Sequence, residues 1–229
     1  MQILETSVLG LRSARISLKH RDTGIVVTLF PMVHIGEEAF YNRVATDALT
    51  HEVVLFEGVR SKKTRSLTAS YRWIDTDRLG LVVQPRLPDH ADSRLVHADI
   101  LPEEADQLWK RMPLWLRALI SGSARAFGLY QRVFATRTSI AKGMSKDLLR
   151  LPEEILEEGD ELQPLRDLIH VARDKKLLEV LDAELATCEN GDRIAVVYGA
   201  GHMAAVVRHL ATRGFTTLPS EWMTIFTAD

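Results

Sequence analysis

Cysteine is nearly absent. Cys188 stands alone in the chain, which excludes an intramolecular disulfide and any zinc cluster built from cysteines. Long uncharged apolar runs are missing too, and none approaches the roughly 20 residues that span a bilayer. The start, Met1–Thr6, places an acid at Glu5 and has no basic segment leading into an apolar core, so no secretory signal is read there. Neither sign of charge dominates. Lys and Arg number 29 against 31 Asp and Glu, for a formal net charge of −2, so global charge argues neither for nor against a nucleic-acid partner. The expectation is a soluble, cytoplasmic protein. Its 229 residues, 46% hydrophobic, suffice for one large domain or a domain with an insert.

Against these absences, two histidines stand out. His34 follows Ile25–Met32, and His202 follows Ile194–Ala200. In both places a β-branched, apolar run stops, a histidine comes within a few residues, and a helical pattern begins. This is a strand, a tight loop and a helix start, built twice. In open α/β sheets such strand ends gather ligands and chemistry. Glu52–Phe56 reads as a strand that delivers Glu57 in the same way. Gly199 and Gly201 allow close backbone approach to a ligand, and the helix start after them offers free N–H groups for a developing oxyanion. Two imidazoles and a carboxylate suit a divalent metal such as manganese, cobalt or zinc, whose bound water would become more acidic. Without a metal, a His/Glu pair still serves as base and orienter for an attacking water.

Elsewhere the pattern is regular. Arg15–Lys19 and Ile25–Phe30 read as a hairpin closed by Gly24. Phe40, Val44 and Ala48 give one apolar helical face. Ser66–Leu81 reads as helical, stopping near Gly80, and Pro102-Glu103-Glu104 opens another helix. Asp99, just before it, reads most simply as an N-cap and secondarily as a substrate-binding residue. Pro164 opens a long helix through Leu165, Leu168, Leu181 and Leu185, ended by Asn190-Gly191. A strand to Tyr198, a helix from His202 to Arg213 and strands at Phe215–Leu218 and Trp222–Thr227 complete the chain. The fold expected is α/β: a mixed, partly parallel sheet flanked by helices, in one domain over 1–229.

The middle differs. From Lys110 to Lys146 there are eight basic residues and no acid, interleaved with Trp115, Phe127, Tyr130 and Phe134, before an acid-rich stretch at Glu153–Glu161. This reads as a helical insert at about 100–163, either a lid over the crevice or a surface touching an anionic partner. Arg117, Arg125 and Arg132 are expected to share an exposed stripe, with Leu116, Ile120 and Phe127 inward.

Residues Phe30–Arg60 and Gly199-Ala200-Gly201-His202 resemble the TraB/PrgY/gumN family and its relatives, the TIKI metalloproteases and the ChaN and erythromycin-esterase-like proteins. That family has a Gly-x-x-His loop, then a helix and a strand ending in glutamate, and a second Gly-x-x-His loop near the C-terminus. An Arg-Asp pair lies on the preceding helix, matched here by Arg173-Asp174. The likeness covers about 25–60 and 165–215. It implies a metal-dependent peptide or amide hydrolase. His34, Glu57 and His202 would be the metal or water-activating set, Arg173 a charge stabiliser, and Asp174 a support for Arg173. It also allows a signalling or ligand-binding protein with a degenerate site, of the peptide-pheromone or haem-binding type. One departure is plain: Pro31-Met32-Val33-His34 has proline where the family has glycine, which fixes φ and removes an N–H. Gly199-x-Gly201-x-x-Ala204, with Glu221 downstream, also fits a dinucleotide fingerprint. That reading is rejected because too little chain follows to build a nucleotide-binding half.

Overall fold

Strand β3 (Val26–Met32) is apolar on almost every residue, as a strand covered on both faces must be. The same holds for β8 (Arg193–Gly199) and β5 (Val53–Phe56). The computed structural model describes residues 2–59, 61, 73–88, 93–149 and 163–228. In it β3, β8, β5 and β7 (Arg94–His97) run parallel, in that spatial order. Beyond β3 the sheet turns antiparallel. The long β2 (Gly10–His20) pairs with β3, β1 (Leu4–Ser7), β9 (Phe215–Thr217) and β10 (Glu221–Thr227). Two short strands, β4 (Ile35–Gly36) and β6 (Val82–Val83), pair antiparallel apart from this sheet. The fold is α/β, with a mixed sheet whose parallel half is flanked by helices.

Strand alternation divides β8 between two cores. Ala195 and Val197 face one, covered by Phe40, Tyr41, Val44 and Ala48 of helix Glu38–Ala48. Ile194, Val196 and Tyr198 face the other, covered by Leu177 and Leu181 of helix Ala172–Leu185 and by Met203, Val206 and Leu210 of helix Met203–Ala211. The chain leaves β3, forms helix Glu38–Ala48 and enters β5 two positions over. β8 later fills the gap, so the late histidine unit lands directly beside the early one.

Several expectations are corrected or lie outside the described residues. Strands β1 and β7 join the sheet, although the local pattern at Leu4–Ser7 and Leu95–Asp99 predicts no strand. Of the helix read over Ser66–Leu81, only Thr76–Leu79 is helical among the described residues, and 62–72 fall outside them. Gly80 does stop it, in the left-handed region at φ +60°. The long helix is helical from the first described residue of this stretch, Gln163, and contains a π turn, Asp167–Val171, before Ala172. The middle of the chain forms helices Pro102–Arg111, Leu114–Phe134 and Arg137–Leu149. Leu116 is buried and Ile120 packs beside it, but Phe127 is exposed rather than inward. The acid-rich stretch lies outside the described residues.

Pro31 sits inside a central strand, and the register explains why. Val26 donates its N–H to Asp192 at the start of β8, so Val26, Thr28 and Phe30 point their N–H groups toward β8 and alternate residues point toward β2. The β2 ladder ends at Leu29, and Pro31 has no donor to lose on that side. Its carbonyl there accepts from the buried Ser13 hydroxyl at 2.8 Å.

Candidate active site

Four parallel strands end together. Met32 lies level with Gly199, Val197 with Phe56, and Phe56 with His97. The carboxyl ends of β3, β8, β5 and β7 therefore carry His34, Gly199–His202, Glu57 and Asp99 along one edge. The first turn of helix Ala172–Leu185 crosses this edge and brings in Arg173 and Asp174.

Arg173 is the hub. Its Nε donates to Asp99 Oδ1 at 3.0 Å, and Nη2 donates to Asp99 Oδ2 at 2.8 Å and to Glu57 Oε2 at 3.1 Å. The guanidinium lies 5.3 Å from the Tyr198 ring centre, a cation–π contact. Asp99 is fully buried and also accepts from the backbone N–H groups of Gly58 and Ile100. Burial alone would raise its pKa, but the hydrogen bonds and charge of Arg173 more than reverse this and hold it below the usual carboxylate value. Glu57 Oε2 also accepts from the Gly199 N–H at 3.0 Å. Space at Gly199 is tight, because a Cβ there would meet Glu57 Oε2 at 3.2 Å and His202 Cδ2 at 3.4 Å, so one of the two would have to give by a few tenths of an ångström.

His202 is buried, with Nδ1 2.6 Å from Asp174 Oδ1. Its ring stands edge-on to Tyr198 at 4.9 Å and lies 5.5 Å from His170. For His170, burial and then the neighbouring His202 push the pKa below its ordinary value, favouring a neutral ring. The Tyr198 hydroxyl is buried near Asp99, at a geometry short of a full hydrogen bond. A cleft lined by Phe56, Gly58, His97 and Pro102 opens beside Glu57.

The expected set is thus rearranged. Asp174 holds His202, not Arg173. Asp99 is no N-cap; Leu101 takes that position, and Asp99 instead anchors Arg173. Gly199 approaches the Glu57 carboxylate rather than open space, and Gly201 lies exposed in a short 3-10 turn, Ala200–His202. His34 is exposed at the end of β3, and its carbonyl accepts from Gln84 N–H at 2.9 Å. Glu221 is engaged by Arg15 and Arg43, not presented to a nucleotide. His170 and Tyr198 were not anticipated as site residues. His170 precedes Arg173 and Asp174 by three and four positions, a same-face spacing that would have found it.

No family model, characterised protein or solved structure matches the chain.

Manganese, cobalt or zinc held by His34, Glu57 and His202 would need three donors around one point. Among the described residues no three His, Cys, Asp or Glu side chains come together in that way. Glu57 and His202 are adjacent, but the Arg173 guanidinium already neutralises the carboxylate, and like charge opposes a second cation there.

Proposed function

We propose that the chain is a hydrolase acting on a peptide or other amide bond, with His202 as the base that activates water. The carrying observation is the 2.6 Å contact between His202 Nδ1 and Asp174 Oδ1 beside the Glu57–Arg173–Asp99 cluster. Donating Nδ1–H to Asp174 fixes the tautomer and leaves the Nε2 lone pair as the basic site. His202 Nε2, Glu57 Oε1 and Arg173 Nη1 make no hydrogen bond among the described residues, so each retains capacity for a ligand.

The chemistry balances without a further reagent. Water adds to the carbonyl carbon as His202 Nε2 takes its proton. Arg173 Nη1 donates to the oxygen where negative charge develops. Collapse of the tetrahedral adduct breaks the C–N bond, and the imidazolium returns its proton to the departing amine. Glu57 positions Arg173 and orients the incoming water through Oε1. The amide preference itself comes from the resemblance to TraB and TIKI proteins, in which paired histidines and a glutamate also stand at strand ends.

A second reading, a ligand-binding or signalling protein, is favoured by one observation: Arg173 is clamped by two carboxylates, which lowers its power as an electrophile. Screening purified protein on a library of fluorogenic peptides and amides separates the two. Turnover that persists after dialysis against a chelator and disappears in His202→Ala supports the hydrolase. Turnover that needs added manganese or zinc would overturn the metal-free assignment. Saturable ligand binding with no turnover by the wild type would overturn hydrolysis altogether.

A further inference from the structure

Among the described residues, helix Leu114–Phe134 carries a broad exposed apolar face. Trp115, Leu119, Phe127, Tyr130, Val133 and Phe134 are each more than half exposed. With about 100° per residue, Trp115, Leu119, Tyr130 and Val133 fall within about 60° of one another around the helix. The opposite side is packed: Gly128 sits so close to Trp73 that a Cβ there would meet the indole at 2.9 Å. Leu116 joins the buried cluster with Trp109 and Met112. A face of this size does not stay bare in water without a use.

The surrounding charge indicates the occupant. The helix carries no acidic residue. On the helix Arg132 is exposed, about 100° around from Trp115 and so at the flank of the apolar face; Lys110 and Arg111 on the preceding helix and Lys142 on the following one are exposed too, and none of the four makes an ion pair among the described residues. Two copies of this chain meeting face to face would oppose like charges, which disfavours a symmetric dimer. A nucleic acid would place phosphates against leucine and valine. An anionic bilayer satisfies both components, with headgroup phosphates on the cations and Trp and Tyr at the interface above shallow acyl chains. No helix among the described residues is long and apolar enough to cross a membrane. We propose that helix Leu114–Phe134 lies in the surface of an anionic lipid bilayer and docks the protein there. This inference does not depend on the hydrolase reading.

The test uses the full chain and sedimentation with vesicles. The protein should pellet with vesicles of phosphatidylglycerol and phosphatidylcholine, stay in solution with phosphatidylcholine alone, and be released as salt rises. Leu119→Glu with Val133→Glu alters only exposed positions and should abolish pelleting while circular dichroism stays unchanged. Arg132→Gln should lower partitioning by roughly fivefold. Failure to pellet with the anionic vesicles at low salt would overturn the proposal. So would pelleting that the double Glu variant leaves intact, or a solution dimer that this variant dissolves, which would assign the face to a second copy.

Discussion

His202 and Asp174, separated by 28 positions in the chain, meet with Nδ1 2.6 Å from Oδ1 at the carboxyl end of β8. The helix that brings Asp174 also brings Arg173, whose guanidinium faces Asp99 and Glu57 on the two strands beyond. Neighbouring residues on one helical turn thus serve two different clusters, and each cluster can be perturbed by itself.

Removing the base should abolish turnover. His202→Ala is expected to lower kcat by at least ~10²-fold. Asp174→Asn, which leaves the imidazole in place but weakens its orientation, should cost about 10- to 100-fold. Steady-state kinetics on the best amide substrate, with circular dichroism as a folding control, provides the check. Wild-type kcat in both variants would remove His202 from the chemistry.

The Asp99–Arg173 pair should govern acid stability. Burial acts to raise the Asp99 pKa, yet Arg173 leaves it below the ordinary value of 3.8. A lowered folded pKa stabilises fully above the unfolded value, and that stabilisation is lost as pH falls through the folded one. Urea unfolding should therefore show stability declining below about pH 4, with part of the slope due to this carboxylate. Asp99→Asn should flatten that slope and cost about 3 kcal/mol at pH 7, since it strips a buried guanidinium of a partner. Identical acid slopes in the two proteins would contradict the assignment.

Gly199 has no strained φ; its constraint is space. Gly199→Ala forces the Glu57 carboxylate or the His202 ring to give way. The expected stability loss is only about 1 kcal/mol. The kcat loss should be larger in proportion, up to about 10-fold, because even a shift of a few tenths of an ångström misaligns the base and the carboxylate. Melting and kinetics on the same preparation would show this split, and a variant equal to wild type in both would refute it.

Pro31→Gly restores the glycine of the resembled family. The proline nitrogen faces the side where β2 has already left the ladder, so the exchange returns no needed hydrogen bond. It should instead lower stability by about 1 kcal/mol through unfolded-chain entropy, with turnover unchanged. A rise in turnover on this substitution would mean that the family glycine has a catalytic use after all.

Much of the fold is legible locally. The apolar, β-branched runs at Val26–Phe30, Val53–Phe56 and Ile194–Tyr198 read as strands, and the spacing of Phe40, Val44 and Ala48 reads as one side of a helix. Strand β1 was not, because Leu4–Ser7 is short and gains its pairing from β2. Strand β7 was not, because Arg94–His97 is half polar and takes its identity from lying against β5. Phe127 was read inward because helical spacing identifies a face but not what covers it.

The chain's residues alone determined that histidine and glutamate would stand at the ends of β-strands, and that Arg173 and Asp174 would sit together on a helix. Which of these groups touch was decided only by the tertiary structure. The order β3-β8-β5-β7 and the rotation of helix Ala172–Leu185 give Asp174 to His202 and Arg173 to Asp99 and Glu57. Hydrogen bonds form across a few ångströms between segments far apart in sequence. Local propensity and periodicity carry no information about those distances.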